Sequence, residues 1–133
     1  MGYGASLTEF ETLTGLSVSV DQVQYDPTRP APPDRPHPFG YHLTIHNGSE
    51  EPVNIFGRKW IVRDESGQTM VVEGDGVVGK FPHIEPGDSF SYNSYHIVRN
   101  DSTASGSFFG TTALGKPIRV GIPSFEMHPP MMA

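Results

Sequence analysis

The chain has 133 residues, a single domain's worth, and a formal charge of −6 with pI ≈ 5.4 that argues against a nucleic-acid footprint. It contains no cysteine, which excludes disulfides, thiolate metal ligands and a cysteine nucleophile. Its 15 glycines and 13 prolines exceed the usual combined share of about 12% but stay below the roughly 25–30% of a disordered low-complexity chain.

The opening residues are small and polar. Ser6 with Glu9 fits a capping box, so one helical turn is expected around Ser6–Phe10. Residues 1–15 otherwise read as a flexible N-terminal segment. Leu16 to Tyr25 reads as a strand, in which Val18 and Val20 alternate and Val23 and Tyr25 alternate in the opposite phase. A one-residue slip of that kind predicts a bulge.

Pro27 to Pro38 holds six prolines in twelve residues, which makes it an extended connector and excludes helix or central strand. Phe39 to Asn47 is the clearest strand, with Phe39, Tyr41, Leu43 and Ile45 on one face and Gly40, His42, Thr44 and His46 on the other. After the Asn47-Gly48-Ser49 turn, Val53 to Arg63 is a strand carrying Trp60. Asp64-Glu65-Ser66-Gly67 predicts a hairpin into a strand over Gln68 to Glu73. Gly74 to Pro82 is a glycine-rich loop. Glu85-Pro86-Gly87-Asp88 fits a type II turn. Ser89 to Arg99 is strand, Asn100 to Ser105 loop, Gly106 to Thr112 strand, and Ile118 to Ile122 a last strand ending at Pro123. Residues 127–133 read as a mobile tail.

Seven or eight short strands with regular turn signals predict an all-β, antiparallel sandwich or barrel over residues 16–126. Trp60 in a central strand tips the reading toward an immunoglobulin-like sandwich, though the usual cysteine pair is missing.

Few motifs carry chemistry. Gly74-Asp75-Gly76-Val77-Val78-Gly79 matches G-x-G-x-x-G, but a dinucleotide site needs a helix after it, and Pro82 and Pro86 forbid one. A tight inter-strand loop is the simpler reading. A weaker version keeps a backbone anion nest beside Lys80. His42 and His46 sit about 13 Å apart on one strand face, too far to share a metal ion. The acidic pairs at turns lack calcium-loop spacing. Ser94 and His96 are close in sequence but have no orienting carboxylate in view. Two P-x-x-P segments, Pro27–Pro30 and Pro33–Pro36, fit either a docking ligand or a strap over the core.

The run Arg58-Lys59-Trp60-Ile61-Val62, then Gly67, Glu73 to Gly79, Pro82, Pro86-Gly87, Tyr92-Asn93-Ser94 and Ile122-Pro123-Ser124-Phe125, resembles the ApaG family, also called the DUF525 domain. The likeness spans about Val18 to Phe125. Arg58, Trp60, Gly74, Gly76, Val78, Gly79, Pro82, Ser94 and Pro123 match its pattern. Tyr95 and Phe108 depart from it, standing where the family tends to have Gly and Met. The resemblance implies a seven- or eight-stranded immunoglobulin/fibronectin-like sandwich. It implies a small bacterial cytoplasmic protein linked genetically to cobalt resistance and magnesium efflux. It also implies a domain that recurs as an interaction module in F-box and polymerase-delta-interacting proteins.

The resulting expectation is a non-enzymatic binding module with no catalytic residues and no cofactor. Its contact loop comprises Gly74, Asp75, Gly76, Gly79 and Lys80 with Arg58 beside it. The expected partner is a protein or a small anion, with weak homodimerisation as a variant, and neither nucleic acid nor a membrane span. The alternative is a protein–protein module that uses a sandwich edge or the proline-rich connector 27–38. The first 20 residues carry no Lys or Arg and no apolar signal core, so the cytoplasm is the expected compartment.

Overall fold

A computed structural model describes residues 9–131. Eight strands follow in chain order: β1 (Leu16–Tyr25), β2 (His37–Asn47), β3 (Val53–Asp64), β4 (Thr69–Asp75), β5 (His83–Ile84), β6 (Ser89–Val98), β7 (Ser102–Thr112) and β8 (Pro117–Met127). They form two antiparallel sheets, β1-β2-β6 and β4-β3-β7-β8, with β5 laid on the start of β3. No α-helix occurs among the described residues, so none is long and apolar enough to cross a membrane. The arrangement is a two-layer sandwich of the immunoglobulin and fibronectin type III kind. Most of the expected turn at Ser6–Phe10 lies outside the described residues.

Alternation builds the core. Phe39, Tyr41, Leu43 and Ile45 are all buried, and they pack with Trp60, Phe108, Ile118 and Val120 between the sheets. On the opposite face of β2, His42 and His46 are exposed and Thr44 is tucked under hydrogen bonds to Asp21 and Ser91. The phase slip in β1 is a register shift between Val20 and Gln22. It turns Asp21 toward the Thr44 and Ser19 hydroxyls, whose hydrogen bonds hold its carboxyl below the usual range. Gly87 has φ +86° and the Asp88 amide donates to Glu85, as a type II turn requires.

Several strand limits differ from the sequence reading, and β4 runs to Asp75, so Gly74 and Asp75 lie in a strand paired with β3 and not in the loop. β2 begins at His37 and includes Pro38, which lies before the first β1 pair, Tyr25 with Phe39, where no ladder donor is needed on that side. β7 begins at Ser102, because Ser102 and Ala104 are buried in an alternation too weakly apolar to register as a pattern. β8 runs past Pro123 to Met127. There Ala104 pairs with Phe125 and Gly106 with Ile122, so β8 carries one extra residue. Proline is tolerated at such a bulge, and the slip returns Phe125 and Met127 to the inward face.

β1 and β8 lie against each other and close one side of the sandwich. β6 and β4 are the edge strands of the opposite side. Before β1, Phe10 is buried against the rings of Phe56 and Phe109 on the outer face of β3 and β7. The Glu11 amide donates to Pro117, and the Glu11 carbonyl accepts from Arg119.

A candidate functional site at the open side of the sandwich

The glycine-rich segment after β4 is a clasp. Val77 and Lys80 exchange backbone hydrogen bonds of 2.7 and 3.0 Å around Val78-Gly79. Val78 (φ 50°) and Gly79 (φ 77°) both have positive φ, which defines a type I′ turn. The Gly76 amide donates to Phe56 and the Ile55 amide to Pro82, fastening both arms to β3. Val77 is wholly buried in the core cluster. Gly76 also has positive φ, and a Cβ there would strike the Lys80 carbonyl oxygen. These glycines are therefore required by a tight turn and a close backbone approach, without any phosphate.

Arg58 sits opposite Gly74 in the β3–β4 ladder. A Cβ on Gly74 would come within 2.7–2.8 Å of the guanidinium, so the arginine lies across the glycine backbone. From there its Nη1 donates to the carbonyls of Asp75 (3.0 Å) and Gly76 (3.1 Å). Of the residues singled out from the sequence, the fold brings Arg58, Gly74, Asp75 and Gly76 together. Gly79 and Lys80 stand at the exposed turn tip. The amides of Gly76, Val77 and Lys80 are all engaged within the protein, which leaves little of the expected anion nest.

Beside this clasp, the two sheets part between β4 and β6. The resulting cleft has a volume of about 620 Å³. Its floor is aromatic. The His96 ring lies 4.6 Å from Trp60 and 4.8 Å from Tyr41, and Phe125, packed beneath them and outside the lining, is 5.8 Å from Trp60. Val62, Met70 and Val72 line one wall, and Arg35, Arg58 and Arg99 stand around it with Asp64 as the one carboxylate. Trp60 Nε1 and His96 Nε2 are buried without a hydrogen-bond partner among the described residues. Burial lowers the His96 pKa to about 4, so the ring is neutral at physiological pH. Burial likewise raises the Tyr41 phenol.

Two arginines bridge the mouth. Arg35, in the proline-rich connector, donates from Nη1 to the thioether of Met70 at 3.4 Å. Arg99 donates to the Gln68 side-chain carbonyl at 2.6 Å and lies 4.0 Å from Asp64. Arg29 of the same connector stacks 4.1 Å over the Tyr95 ring on β6. The connector thus runs as a strap from β6 to β4.

Sequence reasoning placed the site on the loop and passed over this floor. The available signal was that Arg58, Trp60 and Ser94, from two separate stretches of the sequence, all belong to the motifs that carried the family resemblance. Ser94 and His96 face the same cleft, yet His96 Nε2 makes no bond to the Ser94 hydroxyl, so no serine–histidine relay is assembled. Among the described residues no group of three or more His, Asp or Glu is placed to hold a metal ion.

Comparison with known proteins follows this geometry. A family model described as the ApaG domain, DUF525, matches residues 27–112. Protein ApaG of Enterobacter sp. (strain 638) is 35% identical over 116 residues, covering 86% of this chain and 92% of that protein. Protein ApaG of Agrobacterium fabrum is 36% identical over 119 residues, covering 86% and 88%. A crystal structure from Bordetella pertussis, described as an ApaA protein, superposes with a TM-score of 0.79 at 29% identity and covers 92% of this chain and 99% of that one.

Proposed function

The chain belongs to the ApaG (DUF525) family, and from that premise we propose that it is a non-enzymatic binding module that docks a partner protein through β4 and the loop after it. The observation that carries this reading is the distribution of exposed apolar side chains. Val71 on the outward face of β4 and Val78 and Phe81 on the following loop are exposed, with Phe81 65% exposed. Among the described residues β4 is an edge strand with no neighbour beyond β3, and it carries neither proline nor lysine. Natural sheets usually protect such an edge, and one left open is a template for an added strand. The clasp supports the same surface, because it holds the β4 end rigid and uses its own amides internally.

A link to cobalt resistance and magnesium efflux, in the cytoplasm, runs on this reading through the partner and not through cations held by this chain. The test is a pull-down from a bacterium carrying the protein, comparing wild type with Val71→Lys and Phe81→Glu, and with Leu114→Glu as an exposed control on the β7–β8 turn. A partner lost from the first two variants and kept by the third supports the reading. Equal capture by all three overturns it. Amide NMR shifts clustered on one site with millimolar Co²⁺ or Mg²⁺ would overturn the partner-mediated version.

A further inference from the structure

We propose that the cleft between β4 and β6 is a binding site for a small monocarboxylate with an aromatic or apolar body. This site is distinct from the docking edge, since Met70 and Val72 face the cleft in register with Val62 and Trp60, whereas Val71 pairs with Ile61 on the other face.

Four observations converge. First, about 620 Å³ is in the range of small-ligand sites, roughly 300–1,000 Å³, and too small for a folded element. Second, Val62, Met70 and Val72 on one wall and Ile97 and Val98 of β6, over the edges of the Trp60, Tyr41 and His96 rings, give the cleft a mostly apolar lining. Third, Trp60 is 1% exposed and its indole N–H has no acceptor. A buried donor in that state costs free energy and marks an unmet polar demand at the floor.

Fourth, the charge of the rim selects the head group. Three guanidiniums face one carboxylate in a chain whose overall charge is −6. Arg58 already spans two backbone carbonyls, and Arg99 has Gln68 and Asp64. Among the described residues the Arg35 guanidinium has only a thioether, a weak acceptor, and it sits at the mouth on a connector side chain outside the sheets. One cation with a weak partner favours one negative charge. A carboxylate matches its planar fork in a bidentate pair, whereas a phosphate monoester would bring nearly two charges. His96 is neutral and adds none.

The assay is built into the protein, since Trp60 is the sole tryptophan and forms the floor. Its emission, excited where a phenyl ring does not absorb, is followed during titration with 3-phenylpropionate, 3-phenylpropanol, phenyl phosphate and inorganic phosphate. The expected result is saturable change with 3-phenylpropionate, at least about tenfold weaker binding of the neutral alcohol, and no response to inorganic phosphate. Arg35→Gln is expected to weaken the carboxylate about tenfold and leave the alcohol unchanged, with an unaltered melting curve. Arg35→Lys, a cation without the planar fork, is expected to fall between the two. No saturable response to the carboxylate, equal binding of acid and alcohol, or a carboxylate affinity unmoved by Arg35→Gln would each overturn the proposal. Tighter binding of phenyl phosphate would overturn the choice of head group.

Discussion

His96 gives the sharpest test of how the cleft floor is built. Burial holds its folded pKa at about 4, against 6.5 for a free imidazole. As pH falls, the unfolded chain therefore takes up the proton first, and stability declines. The sign is fixed: no effect above pH 7, progressive loss from about 6.5 down to about 4. Each pH unit inside that window is worth up to about 1.4 kcal/mol, so between pH 6.5 and 5 the expected loss approaches about 2 kcal/mol. The rings in contact with His96 are the uncharged Tyr41, Trp60 and Phe125, while Arg58 and Arg99 share the cleft and oppose a second cation. Asp21, Asp26 and Asp64 are held below their ordinary value of 3.8 by hydroxyl hydrogen bonds, so their contribution is lost at lower pH, while exposed His128, raised by Glu126 and Asp101, works in the opposite direction near the top of the window and is common to both proteins compared. Urea unfolding followed by Trp60 emission at pH 7, 6.5, 6 and 5 measures the loss. His96→Phe keeps a ring in place and removes the titration. Its stability is expected to be nearly flat over the same range. Parallel curves for the two proteins between pH 7 and 5 would refute the reasoning.

Three substitutions in the clasp make further predictions. Val78→Asn places the preferred Asn-Gly pair in the type I′ turn and relieves a β-branched residue from φ 50°, so a gain of about 1 kcal/mol is expected in calorimetric melting. Gly76→Ala puts a Cβ into the Lys80 carbonyl at positive φ, and a loss of about 2 kcal/mol or more is expected in the urea midpoint. Gly74→Ala meets only the flexible end of Arg58. Its cost is expected to be no more than about 1 kcal/mol, the size of one hydrogen bond, with faster amide exchange through residues 75–80 as the guanidinium leaves the Asp75 and Gly76 carbonyls.

The strands were legible where side chains alternate strongly. Phe39 to Ile45 announces its face, and the phase change between Val20 and Val23 locates the bulge before any coordinates are seen. β7 was shortened because Ser102 and Ala104 carry almost no hydrophobic signal, although both are buried. β8 was cut at Pro123 because a proline stops a regular ladder, and a bulge is a two-strand property that one strand's sequence does not display. The same limit applies to the site. The glycine pattern is local and visible. The cleft floor is assembled from β2, β3 and β6 with Phe125 of β8 packed beneath it, and only the sandwich topology brings Tyr41, Trp60, His96 and Phe125 within one ring contact of each other.

Burial of Val77 has a kinetic consequence. Swinging the clasp away from β3 would draw a core side chain into water and break the backbone bonds from Gly76 and Ile55. The Arg58 end of the cleft is therefore fixed in advance, and a ligand arriving there loses little to ordering the protein. What remains to move is the Arg35 side chain leaving the Met70 thioether, a rotamer change on the picosecond-to-nanosecond scale. Association is then set by diffusion and by the charge at the mouth, while residence time is set by how well the guest covers the aromatic floor.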